Sequence, residues 1–139
     1  MIDFHFESEL KLKDLAKFSD WISRIIESEG FQLGQIDYIF CTDDYLLNVN
    51  QQYLNHDTFT DIITFDYSSG RTLSGDIFIS SDRVSENART YGVTFENELL
   101  RVMSHGVLHL MGYADKTEDE QSVMRTKEEE KIKLFHVEP

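Results

Sequence analysis

Ser104-His105-Gly106-Val107-Leu108-His109-Leu110-Met111-Gly112-Tyr113-Ala114-Asp115 is the stretch around which the chain is organised. Two histidines stand four residues apart in an apolar run that reads as helix. At that spacing both imidazoles project from one face, a turn apart. A rigid helix that supplies two ligands to a metal ion needs this geometry. Gly112 can take the left-handed conformation that ends a helix. Asp115 is then the first residue after the reversal with a hard ligand atom. The pattern His-x-x-x-His-x-x-Gly-x-x-Asp offers two neutral imidazoles and one carboxylate. It leaves a position open for water on one divalent ion, and the donor chemistry points to zinc. The competing possibility is a pair of core histidines with satisfied hydrogen bonds. The glycine and the carboxylate weigh against it, as does the cost of leaving an imidazole unpaired among apolar neighbours.

Upstream of the histidines, Thr94 caps their helix, and Glu96 and Glu98 complement its positive end. From Leu99 to Met111 this helix is apolar nearly all round, which places it inside the domain. Ser80 or Ser81 caps an earlier helix over 82–91, which Gly92 ends. Gly75-Asp76-Ile77-Phe78-Ile79-Ser80 reads as a strand. It is expected to pair antiparallel with a strand over 61–67, through the turn chemistry of Ser68-Ser69-Gly70. Residues 2–7 alternate apolar and polar and read as a half-buried strand, as do 35–41. Between them, Leu12, Leu15, Phe18, Trp21, Ile22 and Ile25 recur at helical spacing, which predicts an amphipathic helix over 11–29. Thr42 or Asp43 caps a short helix reaching about Tyr53.

Downstream, Thr117-Glu118-Asp119-Glu120 is a capping box. It opens a helix with Val123, Met124, Ile132 and Phe135 as a thin apolar stripe. Glu128-Glu129-Glu130 reads as a solvated face, and Lys131 and Lys133 suit the helix's negative end. The order strand-helix-strand-helix-strand-strand-helix-helix-helix predicts an α+β fold. It is a small mixed four-stranded sheet packed with about five helices, the metal-site helix central, in one domain over 1–139.

The 139 residues carry 26 acidic and 13 basic side chains, a formal charge of −13. A protein that coats a duplex normally has the opposite sign, so any nucleic-acid contact must be local or helped by a partner. The single cysteine, Cys41, excludes an internal disulfide and fits a reducing compartment. It ends an apolar run and reads as a buried small hydrophobe. The N-terminus shows no signal-peptide pattern and no run is long enough to span a membrane, so the expected location is cytoplasmic. His5, His56 and His136 are scattered and read as surface or local structure.

Three motifs together carry a family resemblance. Gly75-Asp76-Ile77, then His105-Gly106-Val107-Leu108-His109-Leu110-Met111-Gly112-Tyr113, resembles the YbeY family of bacterial rRNA-maturation endoribonucleases. So does Asn50-x-x-Tyr53-x-x-x-Asp57-x-x-Thr60-Asp61-Ile62-Ile63-Thr64-Phe65, the family's central motif. The element order matches from about residue 33 to 130. The resemblance implies a zincin-like α+β fold and a cytoplasmic zinc-dependent hydrolase. Its substrate would be rRNA precursor and its surroundings the components of the small ribosomal subunit. The family's ligands carry over to His105 and His109.

The chain departs from the family pattern twice. Asp115 stands where the family has a third histidine; aspartate also ligates zinc, and gives a harder, more anionic site. Leu54 stands where the family has an arginine assigned a part in catalysis, and leucine cannot stabilise charge developing on a phosphate. Arg71, Arg89 and Arg101 are candidates to replace it. Asp61 and Asp57 are candidates to orient substrate, or serve simply as turn and cap carboxylates.

Metal-assisted phosphodiester hydrolysis is the leading expectation. A metalloprotease would share the spacing from His105 to Asp115, which matches the metzincin pattern. That pattern needs a glutamate general base directly after the first histidine, and Gly106 occupies the place. A non-catalytic ribosome-assembly factor with a structural metal is favoured by Leu54 and the acidic charge. Its difficulty is the open fourth position, since structural zinc sites are usually closed by four protein ligands.

Overall fold

The computed structural model describes residues 1–54 and 60–137. The chain runs β1 (Ile2–Glu7), α1 (Leu15–Ser28), β2 (Gln32–Cys41), α2 (Asp43–Leu54), β3 (Ile62–Asp66), β4 (Thr72–Ser80), α3 (Ser81–Tyr91), α4 (Phe95–Leu110) and α5 (Glu118–Phe135). The four strands lie in the order β1-β2-β4-β3. β1 and β4 both run parallel to β2, and β3 pairs antiparallel with β4, Ile63 opposite Phe78. The mixed α+β sheet with five helices is the architecture expected from the sequence. β1 and β3 are the edge strands.

The core forms where α1 and α4 cover the sheet. Trp21, Ile22, Ile25 and Ile26 of α1 are fully buried. Their i, i+1, i+4, i+5 spacing gives one apolar face, and each buried side chain stabilises the fold by roughly 1.5–3 kcal/mol. Tyr38 of β2 is buried too, and its hydroxyl donates to the Met103 carbonyl at 2.9 Å, tying α4 to the sheet. α4 approaches β4 as closely as a glycine allows. A Cβ on Gly106 would lie 2.9 Å from Ile77 Cγ2 and 3.0 Å from Ile62 Cδ1. This contact sets His105 and His109 at the β3 side of the sheet.

Several local expectations need correction. α1 begins at Leu15, not at 11, because the Asp14 side chain caps it, accepting from the Lys17 backbone N–H. β2 begins at Gln32 and β4 at Thr72; a register shift between Leu33 and Ile36 interrupts the alternation that would have shown it. Val123 is 49% exposed and lies outside the α5 stripe. The larger corrections concern charges. Glu128 is buried, not solvated, and Lys131 is fully buried, not a cation laid against the helix end. The expected caps are present: Ser80 on α3, Thr94 on α4, and the full capping box of Thr117 and Glu120 on α5.

Candidate metal centre

His105 and His109 sit one turn apart near the C-terminal end of α4, their ring centroids 4.4 Å apart and nearly perpendicular. The helix stops at Leu110, and Gly112 takes φ +103°, a conformation that suits glycine alone. The chain turns back, and Asp115 Oδ2 comes to rest 3.2 Å from His105 Nε2 and 3.3 Å from His109 Nε2. The three donor atoms lie within 4.8 Å of one another. Among the described residues no other group of three such side chains does so.

The other nitrogen of each ring is already engaged. His109 Nδ1 lies 2.8 Å from the Tyr113 carbonyl, and His105 Nδ1 lies 2.6 Å from Glu128 Oε2. A carbonyl and an ionised carboxylate can only accept, so each Nδ1 carries a hydrogen and each Nε2 is the ring atom directed at Asp115. When the rings are neutral, the two Nε2 lone pairs and Asp115 Oδ2 converge as three possible ligand atoms. The donor set of two imidazole nitrogens and a carboxylate oxygen fits a divalent ion. Burial alone would lower the pKa of His105, but the Glu128 hydrogen bond and the charges of Glu128, Asp115 and Asp61 outweigh it, and the imidazole is held above its ordinary value.

Two clefts of about 540 and 610 Å³ share His105, Asp115 and Asp61 on their walls. One runs between α3, α4 and α5 past Tyr91, Arg101 and Arg125. The other runs along β3 past Leu54, Thr64 and Asp66. Asp61 precedes β3, and burial lifts its carboxyl above the ordinary range, against the pull of the His105 charge. Glu98 is nearly buried in the first cleft; burial raises its pKa, while Arg101, its Nε 3.8 Å from Oε1, opposes the shift. Cys41 is fully buried and its thiol is pushed up to about 12, chiefly by desolvation, so it is no nucleophile.

The candidate arginines separate sharply. Arg71 lines neither of the two clefts: it stacks on Phe31 and donates to the Gly30 and Glu29 carbonyls. Arg89 is exposed on α3 and pairs with Glu86. Neither is placed to replace the family arginine. Arg101 does reach the first cleft, but it is held by Glu128 at 3.2 Å. Leu54 lines the second cleft and Asp61 both, whereas Asp57 and His56 lie outside the described residues. His5 is a surface residue paired with Asp37, and His136 ends α5.

Sequence reasoning missed Glu128, Arg125 and the support of Tyr113. Arg125 lines the first cleft and makes no hydrogen bond or ion pair among the described residues. Glu128 could have been found by register, because 124, 128, 132 and 135 follow the i, i+4, i+8, i+11 spacing of a buried stripe.

Comparison with known proteins identifies the family. Residues 3–136 match the family model described as endoribonuclease YbeY. The chain belongs to the YbeY endoribonuclease family. It is 53% identical over 138 residues to an endoribonuclease YbeY of Flavobacterium johnsoniae, covering 99% of both chains. It is 46% identical over 127 residues to one of Bacteroides thetaiotaomicron, covering 90% of this chain and 93% of the relative. The solution structure of TM1509 from Thermotoga maritima superposes with a TM-score of 0.71 at 28% identity, covering 97% of this chain and 89% of that one. The motifs read from the sequence thus point to the family that the comparison shows, and no helix among the described residues is long and apolar enough to cross a membrane.

Proposed function

We propose that this protein is a zinc-dependent endoribonuclease that cuts single-stranded stretches of rRNA precursors in the cytoplasm during ribosome assembly. One observation carries the metal dependence: His105 Nε2, His109 Nε2 and Asp115 Oδ2 converge as three possible ligand atoms where two clefts meet. Family membership supports RNA as the substrate class.

Zinc held by these residues would supply a Lewis acid that activates water or polarises a phosphoryl oxygen. The protein's own groups supply the rest. The meeting clefts let a flexible strand lie across the site with nucleotides on both sides of the cut. Arg125, free of carboxylate partners, gives the first cleft a cation for a substrate phosphate. Asp61, kept protonatable by burial, can hold or release a proton beside His105. Peptide hydrolysis is disfavoured by packing as well as by sequence. Gly106 faces Ile77 and Ile62, and no carboxylate fits at that position.

Cleavage of a structured rRNA fragment by the purified protein tests the proposal, with His109→Ala and a chelator-treated sample prepared identically. Cleavage by the untreated wild type alone is expected. Equal cleavage by all three would expose a contaminating ribonuclease. No cleavage by a metal-loaded wild type would favour an assembly factor, in line with Leu54 and the acidic charge.

A further inference from the structure

Helix α5 reaches the metal centre through one buried side chain. Glu128 is 6% exposed and occupies a place in the same stripe as Met124, Ile132 and Phe135. A carboxylate at such a position costs several kcal/mol in desolvation unless both oxygens are well paired. Both are. Oε2 accepts from His105 Nδ1 at 2.6 Å, and Oε1 accepts from Arg101 Nη1 at 3.2 Å. An apolar residue would pack there at lower cost, so simple α4–α5 adhesion does not account for the charge.

We infer that Glu128 is a positioning residue: it fixes His105 with the hydrogen on Nδ1, turns Nε2 toward Asp115, and raises the basicity of that nitrogen toward a metal ion. Carboxylates behind metal-bound imidazoles act in this way, and losing one typically weakens metal affinity roughly 10–100-fold. Arg101 keeps Glu128 aimed, which explains why this arginine lines the cleft yet is not free for substrate. A second consequence follows by reciprocity. If α5 orients a ligand, ligation must in turn stabilise the docking of α5.

The inference rests on the metal-dependent function proposed above, but its test is separate. Zinc affinity is measured by competition with a chromophoric chelator, and cobalt(II) substitution reports ligand geometry through its visible absorption. Hydrogen exchange of α5 amides is followed with and without zinc. The proteins are the wild type, Glu128→Gln, Glu128→Leu and, as a control for charge alone, Glu129→Gln, which alters an exposed neighbour.

Glu128→Gln is expected to weaken zinc binding about tenfold and Glu128→Leu about a hundredfold, the two ends of the range for such partners. Both should alter the cobalt spectrum and lose the zinc-dependent protection of α5. Glu129→Gln should match the wild type. The metal-free Glu128→Leu protein should melt somewhat lower than the metal-free wild type, because Arg101 and His105 lose the carboxylate they share, so zinc affinity and the cobalt spectrum decide the question. A purely structural Glu128 would show a lowered melting temperature with unchanged affinity and spectrum, and that result overturns the inference. Wild-type protein that binds no zinc would instead overturn the proposed function, and this inference with it.

Discussion

The Tyr113 hydroxyl donates to Glu29 Oε1 at 2.6 Å, joining the turn after α4 to the residue that closes α1. The backbone carbonyl of the same tyrosine accepts from His109 Nδ1. Glu29 also binds Lys131 at 2.8 Å and Lys127 at 3.1 Å through its other oxygen. Two helices and one turn thereby hold the carbonyl that orients a candidate metal ligand.

Glu29 makes the stability of this region pH-dependent. Its burial raises the pKa, but hydrogen bonds from Lys131, Tyr113 and Lys127 prevail and hold the carboxyl at about 2. An unfolded glutamate titrates near about 4.3. A depressed acid contributes stability that is fully present above the unfolded pKa and lost as pH falls through the folded one. The melting-temperature difference between wild type and Glu29→Gln should therefore be flat from neutral pH down to about pH 5 and shrink toward pH 2. Circular-dichroism melts across that range provide the check. A constant difference would mean that the carboxylate charge contributes nothing here.

Gly106→Ala brings two effects into conflict. Alanine favours a helix interior over glycine by about 1 kcal/mol. The added Cβ would press Ile77 Cγ2 and Ile62 Cδ1 at 2.9 and 3.0 Å, and overpacking of this kind costs about 1–3 kcal/mol. Branched Ile77 sits in a central strand and cannot move aside freely, so the variant should be net destabilised. Chemical denaturation measures this directly. Since α4 must lift from β4, zinc affinity should fall as well.

How far the sequence spoke for itself depended on whether a residue's role was local. Caps such as Thr94 and Thr117 act within four residues, and the apolar spacing of α1 or the alternation of β1 is equally local, so these features were readable. The His105–His109–Asp115 group was readable because all three lie within one helix and its turn. The burial of Glu128 was legible in its register, but its partner was not, nor was that of Lys131, because His105 and Glu29 are far along the chain and a run of charges normally faces water. The placement of the arginine candidates was not legible for the same reason. Only packing decides that Arg71 meets Phe31 while Arg125 lines the cleft.

Arg125→Ala should separate substrate binding from chemistry. The side chain is exposed and without protein partners, so its loss should leave folding and zinc affinity intact. A contact of a cation with a phosphate, equally strong in the bound substrate and the transition state, changes KM more than kcat. We expect KM for an RNA oligonucleotide to rise roughly tenfold, equivalent to about 1.4 kcal/mol, and the salt dependence of binding to become shallower. Unchanged steady-state kinetics would remove Arg125 from the substrate path.

Asp115→His tests what the anionic ligand does. Asp115 brings a negative charge to a site where the family pattern places neutral imidazole, and it is oriented by the short turn from Gly112. An anionic ligand offsets part of the charge of a bound ion and leaves its water less acidic. The histidine variant, with three neutral ligands, should therefore keep zinc but shift the acid limb of its pH–rate profile to lower pH. Asp115→Ala removes one of three convergent donors and should lose zinc more severely than the roughly 10–100-fold cost of losing an outer partner. Rates of rRNA-fragment cleavage across pH, taken at saturating zinc for each protein, make the comparison fair. If the limb stays in place for Asp115→His, the group titrating in that limb is not sensitive to the ligand charge. Asp61, which burial already raises and which lines both clefts beside His105, would then be the residue to replace next.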